Sequence, residues 1–134
     1  MKLVLAGEGA FGVKHLEAIA AIPDVEVVSL AGGVAEATKA TAERFGIPHW
    51  TLDLAEALAR PGVEAALLAT PTPIHAAQAI QVLEAGKHVM VEIPMADSLA
   101  DLHFCVSRAA LEHRQASREL QYTRSKQALT EAAQ

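Results

Sequence analysis

A short apolar run, Lys2–Ala6, passes straight into Gly7-Glu8-Gly9-Ala10-Phe11-Gly12, and a helical pattern opens there. A G-x-G-x-x-G spacing between a strand and a helix leaves few folds open. Gly7 permits the tight turn, Gly9 keeps a Cβ away from an approaching pyrophosphate, and Gly12 lets the helix pack close to the strand. The free N–H groups and dipole of the helix N-terminus attract the phosphates. The pattern predicts a dinucleotide site whose phosphate loop is Gly7, Glu8, Gly9, Ala10, Phe11 and Gly12.

The rest of the chain alternates between two kinds of segment. Strand patterns cover Lys2–Ala6, Val25–Ala31, Pro48–Thr51, Ala65–Ala69 and His88–Val91. They are continuous apolar runs rather than in/out alternations, which is how parallel strands buried on both faces read. Helical patterns lie between them. Ala10–Ala21 carries Phe11, His15, Leu16 and Ile19 on one stripe, and Ala35–Phe45 ends at Gly46. Leu54–Ala59 starts from an Asp53 cap, Ile74–Ala85 ends at Gly86, and Ser98 caps a helix from Leu99 to about His113. Right-handed crossovers turn this order into an α/β doubly wound parallel sheet, a single Rossmann domain.

Composition narrows the partners. Net charge is −5 and pI about 5.6, so the basic face that nucleic acid or an anionic membrane requires is absent from the expectation. Alanine supplies 28 residues while aromatics are 4%, which suits closely packed helices and excludes a platform for stacked bases. No apolar run approaches the ~18 residues of a membrane span, and the opening MKLVLAG reads as a strand rather than a signal segment. The single cysteine, Cys105, rules out an internal disulfide framework and suits a reducing cytoplasm. Between Phe104 and Val106 it reads as a core thiol. The six histidines show no metal-ligand spacing, so no metal is expected. Trp50 reads as a packing residue rather than an adenine contact.

The cofactor's identity is open between NAD and NADP. An acidic residue at the end of the second strand would bind ribose hydroxyls, and an arginine there would take a 2′-phosphate. Gly32 and Gly33 hold that place. The two cofactors are then expected to bind within about tenfold of each other, ~1.4 kcal/mol, with Gly32→Asp favouring NAD and Gly33→Arg favouring NADP.

Further motifs follow in order: Ala69-Thr70-Pro71-Thr72-Pro73-Ile74-His75, then Glu84-Ala85-Gly86-Lys87-His88-Val89, then Val91-Glu92-Ile93-Pro94. With the glycine loop, they make residues 1–113 resemble the N-terminal NAD(P)-binding domain of the Gfo/Idh/MocA oxidoreductases. The resemblance implies that Thr70, Pro71 and Thr72 form a loop over the cofactor's ribose and diphosphate. It also implies that His75 starts the helix beside that loop, and that Glu92 and Pro94 form a turn at the nicotinamide. The family carries a catalytic lysine in that turn. Ile93 stands in its place, and an alkyl side chain moves no proton. Glu92 is left as the candidate catalytic residue. The Glu-Ile-Pro variant most resembles a branch of 4-carboxy-2-hydroxymuconate semialdehyde dehydrogenases, which implies NADP-linked oxidation of a hemiacetal carbon.

The composition changes at Arg114, and residues 114–134 read as a polar tail that is helical only against another surface. The family's second domain, which supplies substrate contacts, has no counterpart in this tail. The chain is therefore expected to bind cofactor weakly, to turn over nothing alone, and to self-associate as a homo-oligomer through apolar surface. The alternative is a stand-alone dinucleotide-binding or redox-sensing module.

Overall fold

The structure, a computed structural model, describes residues 1–111. The expectations for residues 112–134, including the helix end near His113 and the tail, lie outside the described residues. Five strands form one sheet: β1 (Lys2–Ala6), β2 (Glu26–Ala31), β3 (Trp50–Thr51), β4 (Val63–Leu68) and β5 (His88–Val91). Their order is β3-β2-β1-β4-β5, and every pair is parallel. The helices are α1 (Ala10–Ile19), α2 (Ala35–Phe45), α3 (Leu54–Leu58), α4 (His75–Glu84) and α5 (residues 99–111). A 3₁₀ turn, Thr72–Ile74, precedes α4.

The β1 side chains show why helices cover both faces. Leu3 and Leu5 point one way and share a core with Leu16 and Ile19 of α1 and Ala42 of α2. Val4 and Ala6 point the other way and pack with Ala57 and Leu58 of α3, Ala79 and Val82 of α4, and Cys105 of α5. Leu5, Leu30 and Leu68 are fully buried, each worth roughly 1.5–3 kcal/mol of apolar burial. The doubly wound expectation therefore holds. Alanines at 42, 57 and 79 are buried where helix meets sheet, so small side chains let the helices close on the strands.

The caps follow the sequence. Asp53 Oδ1 accepts from Ala55 N at 2.8 Å, Ser98 Oγ accepts from Asp101 N at 3.1 Å, and Gly46 closes α2 with φ +66°. Three readings need correction. The third strand is only Trp50–Thr51, not Pro48–Thr51. The β4 strand begins at Val63, directly after the Gly62 turn, and ends at Leu68 rather than Ala69. Phe11 is not on the inner stripe of α1. It is 69% exposed, and the buried residues are Gly12, Leu16 and Ile19. Gly12, in the same first turn, packs on Gly7 and Leu5, while Phe11 lines the crevice.

Candidate functional site

Successive crossovers go to opposite faces at the junction of β1 with β4, and the loops after β1, β2 and β4 separate there. This is the crevice where open α/β sheets bind ligands. A cavity of about 620 Å³ opens at this place. Gly7, Glu8, Gly9, Ala10 and Phe11 line it from the first loop, Gly32 and Gly33 from the second, and Thr70 and Pro71 from the third. Of the other expected site residues, Gly12, Thr72, His75, Glu92 and Pro94 lie outside the lining, each with a distinct position.

The three glycines divide into two roles. Gly7 has φ +109°, and a Cβ on it would stand 2.4 Å from Ala69 O. Its N–H donates to Ala31 O at 2.8 Å, tying β1's loop to the end of β2. A Cβ on Gly12 would stand 1.8 Å from Gly7 O. These two are glycine because the chain's own backbone fills the space. At Gly9 a Cβ would meet nothing within 4 Å. Gly9 N-caps α1 in an extended conformation, with no side-chain cap bond. The space above it is open on the side from which phosphates reach the first N–H groups of α1.

Glu8 reaches across the cavity. Its Oε1 accepts from Gly33 N and Val34 N, each at 2.9 Å, and its Oε2 lies 3.1 Å from Gly33 N. Partial burial works against the charged form, but backbone N–H groups of Glu8, Val34 and Gly33 outweigh it and hold the carboxyl below the usual carboxylate range. An acidic group therefore does stand at the end of β2, supplied by the glycine loop rather than by position 32 or 33. A carboxylate with a lowered pKa stabilises the fold above its unfolded pKa and loses that contribution as pH falls through the folded one. We expect wild-type stability relative to Glu8→Gln to be constant above the ordinary carboxylate range and to fall as pH drops through and below it, as followed by urea unfolding at stepped pH.

Gly32 is closed to substitution. A Cβ there would stand 1.9 Å from Thr38 Oγ1, in a hydroxyl that is buried and bonded to Val34 O at 2.7 Å. Gly32→Asp, which looks from sequence like an NAD-favouring change, would disrupt the start of α2 instead. Gly33 is open, its nearest neighbour being Glu8 Oε1 at 3.7 Å.

Sequence reasoning missed the far walls. Ala37, Leu52 and Leu54 form an apolar slot on the β2–β3 side, while Ile74 and Gln78 stand on the β4 side. Their signal was weak: each follows a strand end, and Leu52 and Leu54 flank the Asp53 cap. Trp50 is not in the lining and is 37% exposed.

His75 begins α4 and is 2% exposed, so it holds the site without facing it. Its Nε2 lies 2.6 Å from Thr70 O and its Nδ1 3.0 Å from Pro94 O. Thr70 Oγ1 donates to Gln78 Oε1 at 2.6 Å. At the end of β5, Glu92 N donates to Leu68 O at 2.9 Å, and Glu92 Oε1 lies 2.5 Å from His15 Nε2. This half-buried pair joins α1 to the turn after β5. Ile93 is 86% exposed beside it, ahead of a cis Pro94. Cys105 is a core thiol, 3.6 Å from Ala76 O. Burial first, then Asp101, pushes its pKa up.

A crevice over a parallel sheet with this glycine loop is that of a dinucleotide-binding Rossmann domain. A family model described as "Oxidoreductase family, NAD-binding Rossmann fold" (Gfo/Idh/MocA) matches residues 1–119. The chain is 52% identical over 101 residues to a 4-carboxy-2-hydroxymuconate-6-semialdehyde dehydrogenase of Sphingobium sp., covering 75% of this chain and 32% of the relative. The WlbA dehydrogenase of Bordetella pertussis, solved with NADH and UDP-GlcNAcA, superposes with a TM-score of 0.79 at 32% identity, over 84% of this chain and 33% of that one. The biliverdin reductase of Synechocystis, solved with biliverdin and NADP+, superposes at 0.78 with 25% identity, over 84% and 35%. The chain belongs to the Gfo/Idh/MocA oxidoreductase family and forms its NAD(P)-binding Rossmann domain. It spans about a third of the length of these relatives. No helix among the described residues is long and apolar enough to cross a membrane.

Proposed function

We propose that this chain is the cofactor-binding part of an oxidoreductase that removes hydride from a hydroxyl or hemiacetal carbon of an aromatic-acid-derived or sugar-like substrate. The observation that carries this is the open face of Gly9 beneath the cavity, between two glycines closed by the backbone itself. The residues fit a dinucleotide. The first turn of α1 takes the diphosphate, Thr70 and Pro71 wall the nicotinamide side, and Ala37, Leu52 and Leu54 take the adenine. Bound NAD(P) supplies the hydride acceptor.

Oxidation also releases the hydroxyl proton. With an alkyl side chain at Ile93, the Glu92–His15 pair is the proton acceptor: the Glu92 carboxylate takes the proton, and His15 on Oε1 orients it. The test is a chimera in which residues 1–113 replace the matching domain of the Sphingobium relative. It should oxidise that relative's substrate class, and Glu92→Gln should lower kcat by about 10²-fold with cofactor affinity unchanged.

The 134-residue chain alone should give a saturable NADH titration and no turnover, since orientation of substrate against the cofactor can contribute ~7–11 kcal/mol. Absence of saturation would sink the reading. The exposed Ile93 supports the second reading, a dinucleotide-binding or redox-sensing module, and an inactive chimera that still binds NADH would favour it. We assign residues 1–113 to the domain and 114–134 to a separate tail, in a cytoplasmic protein. Leu99, Phe104, Val106 and Leu111 are exposed along α5 and support a homo-oligomer. Light scattering should report a mass above that of the monomer.

A further inference from the structure

We propose that Glu8 reads the adenosine ribose and excludes NADP, making this an NAD-preferring site whose specificity residue lies in the glycine loop. This rests on the dinucleotide reading above and goes beyond it to the cofactor's identity.

On that reading the diphosphate would lie over Gly9, where a Cβ meets open space, and the adenine in the slot of Ala37, Leu52 and Leu54. Glu8 and Gly33 line the cavity as well, so the ribose between diphosphate and adenine would pass over the Glu8 carboxylate. Glu8 is held there by Gly33 N and Val34 N. An ionised carboxylate offers about four lone-pair sites. The two N–H groups leave room for the 2′- and 3′-hydroxyls, both of which donate.

A 2′-phosphate meets the opposite situation. It brings a charge of about −1.5 to −2 against a fixed carboxylate in a partly enclosed cavity. The N–H donors at the start of α2 that would receive it are already bonded to Glu8. No compensating cation is at hand on the second loop. Gly32 and Gly33 carry no side chain, and Lys39, the nearest cation in sequence, sits 3.7 Å from Glu43. The repulsive element that discriminates between cofactors is therefore built in, independent of the residue at the end of β2.

The test is calorimetric titration of NADH and NADPH into the 134-residue chain and into Glu8→Gln, with circular dichroism as the check on folding. ADP-ribose and 2′-phospho-ADP-ribose, titrated into the unmodified chain, repeat the comparison without the nicotinamide and without a mutation. In place of the near-equal affinities that Gly32 and Gly33 alone suggest, and of the NADP that the resemblance implies, we expect NADH to bind at least tenfold tighter than NADPH, about 1.4 kcal/mol, and the two fragments to show the same ratio. Glu8→Gln should narrow that ratio about tenfold, chiefly by tightening NADPH. Equal affinities in the unmodified chain would show that Glu8 swings aside and yields its N–H donors to the phosphate, which overturns the proposal while the dinucleotide reading stands. A ratio unmoved in folded Glu8→Gln also overturns it. Failure of both cofactors and both fragments to bind overturns the dinucleotide reading and this proposal together.

Discussion

Gly12→Ala should destabilise the domain by about 3 kcal/mol or more, while Gly9→Ala should leave stability intact and weaken cofactor binding at least tenfold. The added methyl at Gly12 would lie 1.8 Å from Gly7 O and 2.9 Å from Gly7 C. Neither atom can give way, because Gly7 is fixed by its bond to Ala31 O and by the Ala69 carbonyl against it. Helix α1 must then lift off β1 and pull Leu16 and Ile19 out of the core they share with Leu3 and Leu5. For a domain of this size the midpoint should fall by roughly 10–20 °C. Gly9 differs in every respect. A methyl there meets open space, and φ −73° suits any residue. Fewer unfolded conformations could even add about 0.4–1 kcal/mol. The methyl does occupy the approach to the α1 N–H groups, so NADH affinity should drop at least tenfold, ~1.4 kcal/mol. Thermal melts beside NADH titrations read both effects. A stable Gly12→Ala would mean that α1 and Gly7 can part without loss of packing, and a Gly9→Ala that binds normally would mean that the phosphates do not lie on this loop.

That contrast also marks what the sequence could and could not show. Local signals were legible. The α2 helix runs over Ala35–Phe45 and β5 over His88–Val91 as read, because Gly46 and the break after Val91 punctuate them sharply. The glycine spacing located the crevice because each glycine answers to a contact within one loop or with the adjacent strand. What stayed hidden depends on pairings between distant segments. Glu8 meets Gly33 and Val34 across 25 and 26 residues, and no periodicity links an x position of a glycine loop to the cap of the second helix. Gly32 read as a vacancy awaiting a side chain, yet Thr38 fills that space from one turn into α2. Phe11 read as part of the α1 stripe because apolar spacing alone does not separate a residue that faces the sheet from one that lines the crevice. His15 and Glu92 lie 77 residues apart, and no local pattern brings them into contact.

His75 is the case in which a residue expected at the cofactor proves to hold up the wall behind it. Its ring is 2% exposed, and each nitrogen faces a backbone carbonyl, Thr70 O after β4 and Pro94 O after β5. The ring stands within hydrogen-bond reach of both carbonyls. The two loops are thereby tied together from below, and Thr70, whose hydroxyl donates to Gln78, presents its upper side to the cavity. His75→Ala would leave a cavity where the ring was and two carbonyls without partners in a buried place. We expect a loss of about 3 kcal/mol and a midpoint lower by roughly 10–20 °C. NADH affinity should fall severalfold in the folded fraction, because Thr70 and Pro71 lose their anchor. Two further variants separate packing from hydrogen bonding. His75→Phe restores most of the volume and donates nothing, so it should recover less than half of the lost stability. His75→Gln brings an amide with two hydrogens and should recover more of the NADH affinity than His75→Phe. If His75→Phe melts with the wild type and binds NADH equally well, the ring is filler, and the loops after β4 and β5 are held by something other than these two hydrogen bonds.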